Sequence, residues 1–266
     1  MTGSQLNTLK TGTIATVKEV AAFISSEAGN ISKKDIQHKG VHDLVTFVDK
    51  TSEEKLIKGL SALLPEAGFI AEEGTNAKKG ERYNWVIDPL DGTTNFIHGV
   101  PCYAISVALM DKDEVVLGVV HEVTRNECFH AHKFSSSFLN EKEIRVTGTP
   151  KLNDSLIATG FPYTHFDHLE KYLKVFRHLM LNTRGIRRIG SAATDLCYVA
   201  CGRFDGFFEY GLKPWDVAAG SFIVQQAGGN CRDFKGRKNF IEGREIIAGN
   251  PVITRELLFS FQEYFT

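Results

Sequence analysis

The chain is 266 residues long, with 31 Lys and Arg against 32 Asp and Glu, a formal charge of −1 with neutral histidines. That balance excludes a broad polyphosphate-binding face as its main business, because sustained nucleic-acid affinity draws on an excess of cations that replace counterions. At 42% hydrophobic and 24% charged, the composition is that of a globular protein with a substantial core, neither disordered nor fibrous.

Leu9, Ile14, Val17, Val20, Ala21 and Ile24 recur at helical spacing and predict an amphipathic helix over residues 6–28. The pattern is lost over 29–41, where Ser32, Lys33, Lys34, His38, Lys39 and Gly40 read as a loop. A second helix is predicted over 52–64, ending before Pro65, which cannot continue it. Residues 68–71 read as a short strand, and 84–88 as a buried strand that stops at Pro89. Strands over 103–110 and 115–123 are joined through Asp111-Lys112-Asp113-Glu114 as a hairpin, with 128–132 adding a third. Beyond Pro150 the order alternates: strand 156–160, helices 167–181 and 192–201, strand 204–210, helix 216–227 and an extended 245–248. No repeat, low-complexity tract or long linker interrupts it. This order predicts α+β layers, with an N-terminal half over 1–150 and a C-terminal half over 151–266 joined in one compact unit.

Cys102, Cys128, Cys197, Cys201 and Cys231 are an odd set without CxxC spacing and read as free thiols. With no signal-peptide pattern, they favour a reducing, cytoplasmic compartment. No apolar run reaches the roughly 18 residues of a membrane span.

The sharpest local feature is Asp88-Pro89-Leu90-Asp91-Gly92-Thr93-Thr94-Asn95. An apolar strand ends by presenting two carboxylates three residues apart, Pro89 restricts the bend, and Gly92 permits close backbone approach. Hard divalent cations such as Mg²⁺ favour carboxylate, carbonyl and water oxygens and share coordination with substrate phosphate. Asp88, Asp91 and the Leu90 carbonyl are such donors, and amides opening a helix at 92–95 could hold phosphate beside them. The bland alternative is a turn whose Asp and Thr side chains cap the next helix. Glu72-Glu73-Gly74, also after an apolar strand, reads by itself as a solvated turn. Asp216, in Lys213-Pro214-Trp215-Asp216-Val217-Ala218-Ala219-Gly220, is either a ligand or an N-capping acid beside a core Trp.

Taken together, Ala71-Glu72-Glu73-Gly74, Trp85-Val86-Ile87-Asp88-Pro89-Leu90-Asp91-Gly92-Thr93-Thr94-Asn95-Phe96 and Trp215-Asp216-Val217-Ala218-Ala219-Gly220 resemble the inositol monophosphatase family of Mg²⁺-dependent, lithium-sensitive phosphomonoesterases. The resemblance implies a layered αβαβα sandwich whose active site forms where these three segments converge. It also implies that Glu72, Asp88 and the Leu90 carbonyl hold one Mg²⁺, that Asp88, Asp91 and Asp216 hold a second, and that Glu72 helps bind a third. Thr93 is placed near the attacking water, the Gly92 and Thr93 amides near phosphate, and Lys39 and Asp49 around the metal-water network. Glu209 and Ala192 match positions that contact substrate hydroxyls, Asp91 is a further substrate-binding position and Lys213 lies near the substrate entrance, with Gly190-Ser191-Ala192 as the surrounding loop. A homodimer is likewise implied by the resemblance.

The expected reaction is hydrolysis of a small phosphate monoester by direct attack of a metal-activated water, first of all on myo-inositol 1-phosphate, with no nucleic-acid or membrane partner. Ala71 stands where the family often has glycine before the paired glutamates, and Lys213 where some members carry histidine. Fructose 1,6-bisphosphate, a 3′-phosphorylated adenosine nucleotide, and a non-catalytic regulatory role on the same fold remain open. Arg184, Arg187 and Arg188 read as a solvated face or a phosphate contact. His130 with His132, Cys197 with Cys201, and Phe204, Phe207 and Phe208 read as packing residues.

Overall fold

A computed structural model of the protein describes residues 1–30, 36–38, 44–74, 78–162 and 167–265. The chain opens with α1 (Gly3–Glu27), followed by a small antiparallel pair, β1 (Ile36–His38) and β2 (Leu44–Thr46), and then α2 (Phe47–Leu63). Next come β3 (Gly68–Ala71), β4 (Tyr83–Asp91), α3 (Thr93–His98), β5 (Ala104–Asp111), β6 (Glu114–Glu122), β7 (Glu127–His132), β8 (Ser137–Leu139) and β9 (Lys142–Ile144). The remainder is β10 (Leu156–Thr159), α4 (Leu169–Asn182), β11 (Gly185–Arg187), α5 (Ala192–Ala200), β12 (Gly206–Tyr210), α6 (Pro214–Gln226), β13 (Asn230–Arg232), β14 (Glu245–Gly249) and α7 (Pro251–Tyr264).

Strands β3 to β9 form a seven-stranded sheet in sequence order, parallel only between β3 and β4. A five-stranded sheet runs β11-β10-β12-β14-β13, parallel among its first three strands. Helices α1 and α2 cover one face of the larger sheet, α5 and α6 lie between the sheets, and α4 and α7 close the outer face of the smaller one. The result is the αβαβα sandwich.

Sequence periodicity explains the layers. Leu6, Leu9, Thr13, Val17, Val20, Ala21 and Ile24 form the buried stripe of α1, which packs against Trp85, Ile87, Val107 and Leu117 of the larger sheet. Alternation along β4 sends Val86 to the other face, into the core built around α5 and α6. Trp85 and Phe129 are fully buried, on the order of 150–250 Å² each removed from water.

Two predicted boundaries need correction. Helix α2 begins at Phe47, five residues before expectation, because Thr46 caps it: the Thr46 hydroxyl accepts the Val48 N–H at 3.1 Å, and Asp49 accepts the Thr46 N–H at 2.8 Å. Strand β4 does not stop at Pro89 but runs to Asp91, with the pairing register shifting between Asp88 and Asp91. Proline has no N–H to give the ladder, and the irregularity falls where that donor is missing. Strands β1, which falls in the stretch predicted as a loop, β2, β8, β9, β11 and β13, each three residues long, and helix α7 had no predicted counterpart. Among the described residues no helix is long and apolar enough to cross a membrane, and all five cysteines are free.

Candidate active site

The site begins with strand parity. Asp88 shares the face of Val86 and so points from the larger sheet toward the inner helices, while Trp85 and Ile87 face α1 and α2. Its Oδ1 accepts the Leu90 N–H at 2.9 Å, bracing the bend through Pro89. Parallel pairing of β3 with β4 brings Glu72 alongside, its N–H donating to the Ile87 carbonyl at 3.2 Å. Ser106, paired with Asp88 across β5, donates its hydroxyl to the Trp215 carbonyl at 3.0 Å and anchors the start of α6 beside the strand. There Asp216 Oδ2 accepts the Lys213 N–H at 2.7 Å. Asp216 thus sits in the first turn of α6, and Lys213, not Asp216, is the N-cap.

Asp91 is held from the opposite side. Its Oδ2 accepts the Ser191 hydroxyl at 2.6 Å and the Ala193 N–H at 2.7 Å, both from the start of α5. Between these acids, Gly92 caps α3 at φ +93°, and a Cβ there would stand 3.1 Å from the Cys102 carbonyl and 3.2 Å from that of Gly190. Only glycine accepts both constraints. The Thr93 hydroxyl lies 2.9 Å from the Leu90 carbonyl and 3.1 Å from Asp49 Oδ1, and Asp49 Oδ2 is engaged by both the N–H and the hydroxyl of Thr46.

These groups meet at one cavity of about 350 Å³, lined by Glu72, Asp88, Leu90, Asp91, Gly92, Thr93, Ala192, Glu209, Lys213 and Asp216. Every sequence-predicted site residue therefore lines it except Asp49, which reaches it through Thr93, and Lys39, which lies outside the described residues. Burial, then the charges of Glu72, Asp91 and Asp216, push the Asp88 carboxyl far above its ordinary range. Burial raises Asp91 to about 6 despite its donors from Ser191, Ala193 and Ala192. Burial and the Asp91 charge raise Asp216 to about 8. Glu209 rises to about 8 for the same two reasons, and burial lifts Asp49.

The donor set fits hard divalent cations. It is all oxygen, and its aspartates are desolvated and crowded together, a state that a bound cation relieves. Among the described residues no three Asp, Glu, His or Cys side chains already stand in metal-ligating geometry. The acids share a cavity without being closed around one point.

Three further residues escaped the sequence reading. Ser191 was assigned only to a surrounding loop, yet it caps α5 and grips Asp91. Asp195 sits one turn into α5, 1% exposed and lining the cavity, with Oδ1 lacking any hydrogen-bond partner. An acid inside the otherwise uncharged run Ala192–Ala200 was the available signal. Gly160 gives Glu209 its place, since a Cβ there would collide with the carboxylate. Of the three arginines, Arg188 lines the cavity and Arg184 pairs with Asp154 at 3.4 Å. His130 stacks on Phe138, its Nε2 3.0 Å from the Asn140 carbonyl, while Cys197, Phe204, Phe207 and Phe208 are core residues.

The family model described as the inositol monophosphatase family matches residues 5–264. The chain belongs to the inositol monophosphatase family. Within it, the chain is 43% identical over 232 residues to a protein of Neisseria meningitidis named putative Nus factor SuhB, covering 87% of this chain and 89% of the relative. It is 39% identical over 237 residues to the inositol-1-monophosphatase of Mesorhizobium japonicum, covering 88% and 89%. The crystal structure of the extragenic suppressor protein SuhB from Bartonella henselae superposes with a TM-score of 0.91 at 35% identity, covering 95% of this chain and 98% of that one. Family membership supports a phosphatase, and relatives of both names share its fold.

Proposed function

We propose that the protein hydrolyses a small phosphate monoester in a Mg²⁺-dependent reaction, with myo-inositol 1-phosphate as the first substrate. The observation that carries this reading is the convergence of Glu72, Asp88, Asp91 and Asp216, from three separate segments, on one cavity where burial disfavours the charges of the three aspartates. Glu72, Asp88 and the Leu90 carbonyl would hold one cation, Asp88, Asp91 and Asp216 a second, and Glu72 would help hold a third. Bound there, the cations neutralise phosphate and the departing oxygen and make water more acidic.

The protein's own groups do the positioning. With its proton directed to Asp49 Oδ1 or the Leu90 carbonyl, the Thr93 hydroxyl keeps a lone pair free to orient a water. Glu72 takes a proton from that water as its oxygen bonds to phosphorus, the ester P–O bond breaks, and the alcohol oxygen leaves with a proton from solvent. The Gly92 and Thr93 amides approach the phosphate, and Asp91, Ala192, Glu209 and Lys213 face the alcohol. Lys39 belongs by resemblance to the water network.

The test is phosphate release from myo-inositol 1-phosphate, fructose 1,6-bisphosphate and 3′-phosphoadenosine 5′-phosphate with Mg²⁺ titrated. The expected result is Mg²⁺-dependent release with inositol phosphate preferred. A preference of orders of magnitude for either bisphosphate replaces the substrate. Release from none of them favours a second reading, a regulatory binding module, which the relatives named Nus factor support. A cytoplasmic homodimer completes the proposal, and light scattering on the purified protein checks its mass.

A further inference from the structure

Helix α2 turns one continuous stripe inward: Asp49, Ser52, Glu53, Leu56 and Leu60, at spacings of one to four residues, are all buried. Its later part is apolar, with Leu56 and Leu60 in the core beneath the larger sheet, while its first two turns are polar. Asp49 is accounted for by the Thr46 cap and the Thr93 hydroxyl. Glu53, one turn further on, has no exposed surface at all, whereas its neighbour Glu54 is exposed.

Packing does not call for a carboxyl at position 53. A buried acid is costly unless hydrogen bonds repay it, and the helix dipole favours acids within the first turn, which Glu53 lies beyond. Its Oε2 accepts the Glu73 N–H at 2.8 Å, from 20 residues along the chain. That N–H belongs to the planar peptide joining Glu72 to Glu73, so a bond to it fixes the rotation of the peptide about the Glu72 α-carbon. On the other side of Glu72, its own N–H donates to the Ile87 carbonyl at 3.2 Å. Strand β3 ends at Ala71, so the ladder with β4 supports the peptide before Glu72 and not the one after it. Helix α2 supplies that second support, and the Glu72 side chain lines the cavity between the two.

We propose that Glu53 is a positioning residue: by holding the Glu73 N–H, its carboxylate fixes the peptide that follows Glu72 and so aims the Glu72 carboxylate at the cation. The inference rests on reading Glu72 as a cation ligand, and it deepens that reading by assigning the residue that readies the ligand from behind. The described lining of the cavity does not include Glu53. With Asp49 one turn away, their Cβ atoms about 5–6 Å apart, α2 becomes the common support of Thr93 and Glu72.

The experiment measures Mg²⁺ binding to the full-length, metal-free protein by titration calorimetry without substrate, together with the rise in melting temperature that Mg²⁺ produces. Glu53→Gln keeps an acceptor at the same reach, Glu53→Asp draws the carboxylate back by one methylene, and Glu53→Met fills the space without an acceptor. Groups that support metal ligands are worth about 10–100-fold in metal affinity, so the Kd for Mg²⁺ is expected to rise at least about tenfold in Glu53→Met, less in Glu53→Asp, and to stay near wild type in Glu53→Gln. A merely structural Glu53 lowers the melting temperature of the metal-free protein and leaves both the Kd and the Mg²⁺-induced rise unchanged, which overturns the proposal. Equal losses in Glu53→Gln and Glu53→Met assign the effect to charge and not to the bond, and overturn it as well. If Glu53→Met does not fold, Glu53→Asp decides, because wild-type Mg²⁺ affinity in that variant is equally fatal. A wild type that binds no Mg²⁺ removes the cation reading of the cavity itself, and this inference with it.

Discussion

Helices α5 and α6 lie side by side between the two sheets and open onto the same cavity, but they handle acids in opposite ways. Helix α5 gives its donors to an acid from another part of the chain: the Ser191 hydroxyl and the Ala193 N–H both reach Asp91 on β4. Helix α6 brings its own acid, Asp216, and spends a single backbone N–H, that of Lys213, on it. Both carboxyls are raised chiefly by burial, yet Asp91 reaches only about 6 while Asp216 reaches about 8. Hydrogen bonds to a carboxylate favour its charged form. Asp91 is thus the acid that the fold itself helps to keep charged, and Asp216 receives less such help. Asp88, pressed by both and by Glu72, is the most dependent of all on an incoming positive charge.

The strongest way to break this comparison is to remove the acid both helices surround. Asp88→Asn keeps the shape of the side chain and the Leu90 N–H bond while deleting the charge. Mg²⁺-dependent phosphate release should fall by at least about a hundredfold, since even groups that merely support metal ligands are worth 10–100-fold. The melting temperature of the metal-free variant should be equal to or above that of the wild type, because a buried, repelled acid has been neutralised. Turnover close to wild type rejects the role given to Asp88.

A smaller effect is expected from Ser191→Ala, which acts on the α5 side alone. Loss of the N-cap costs about 1 kcal/mol, a shift of roughly 2–4 °C for a domain of this size. Loss of the hydroxyl donor to Asp91 raises that carboxyl further above 6, so the acid limb of the pH–rate profile should move to higher pH, with activity down about tenfold at neutrality. An unchanged acid limb means that the Ala193 amide suffices to hold Asp91 and the contrast with α6 is overstated.

Much of this arrangement was legible in the chain itself, and the part that was not has a physical reason. Helical spacing marked α1, and apolar runs marked the central strands. The run from Asp88 to Thr93 identified itself because proline, glycine and two acids within six residues leave few ways to fold. The start of α2 was missed because its signal is a capping box, Thr46 with Asp49, and not an apolar stripe. Pro89 misled because a proline ends most strands, and here an irregular pairing absorbs it. The grip of Ser191 on Asp91 spans 100 residues of sequence, and no local pattern reports a contact of that range. The burial of Asp195 at the cavity is likewise something only the packed layers reveal.

A last prediction tests the electrostatics of the cavity without any turnover. The carboxyls of Glu209 and Asp216 have folded-state values of about 8 against ordinary values of 4.5 and 3.8. Below about pH 4 both are protonated whether the chain is folded or not, and neither affects stability. As pH rises above that, the unfolded chain releases these protons while the folded chain keeps them, so each group withdraws stability progressively until the pH passes about 8. The melting temperature of metal-free protein should therefore decline between pH 5 and pH 8, and Glu209→Gln, which removes one of the two contributors, should flatten the decline. Saturating Mg²⁺ should oppose the part due to Asp216, since a cation stabilises the folded state by binding the ionised acid. It should leave the Glu209 part in place, which separates the metal end of the cavity from its alcohol end in one set of melting curves. A decline that Mg²⁺ abolishes completely, with Glu209→Gln indistinguishable from wild type, would place Glu209 among the cation-holding acids and collapse the distinction between the two ends.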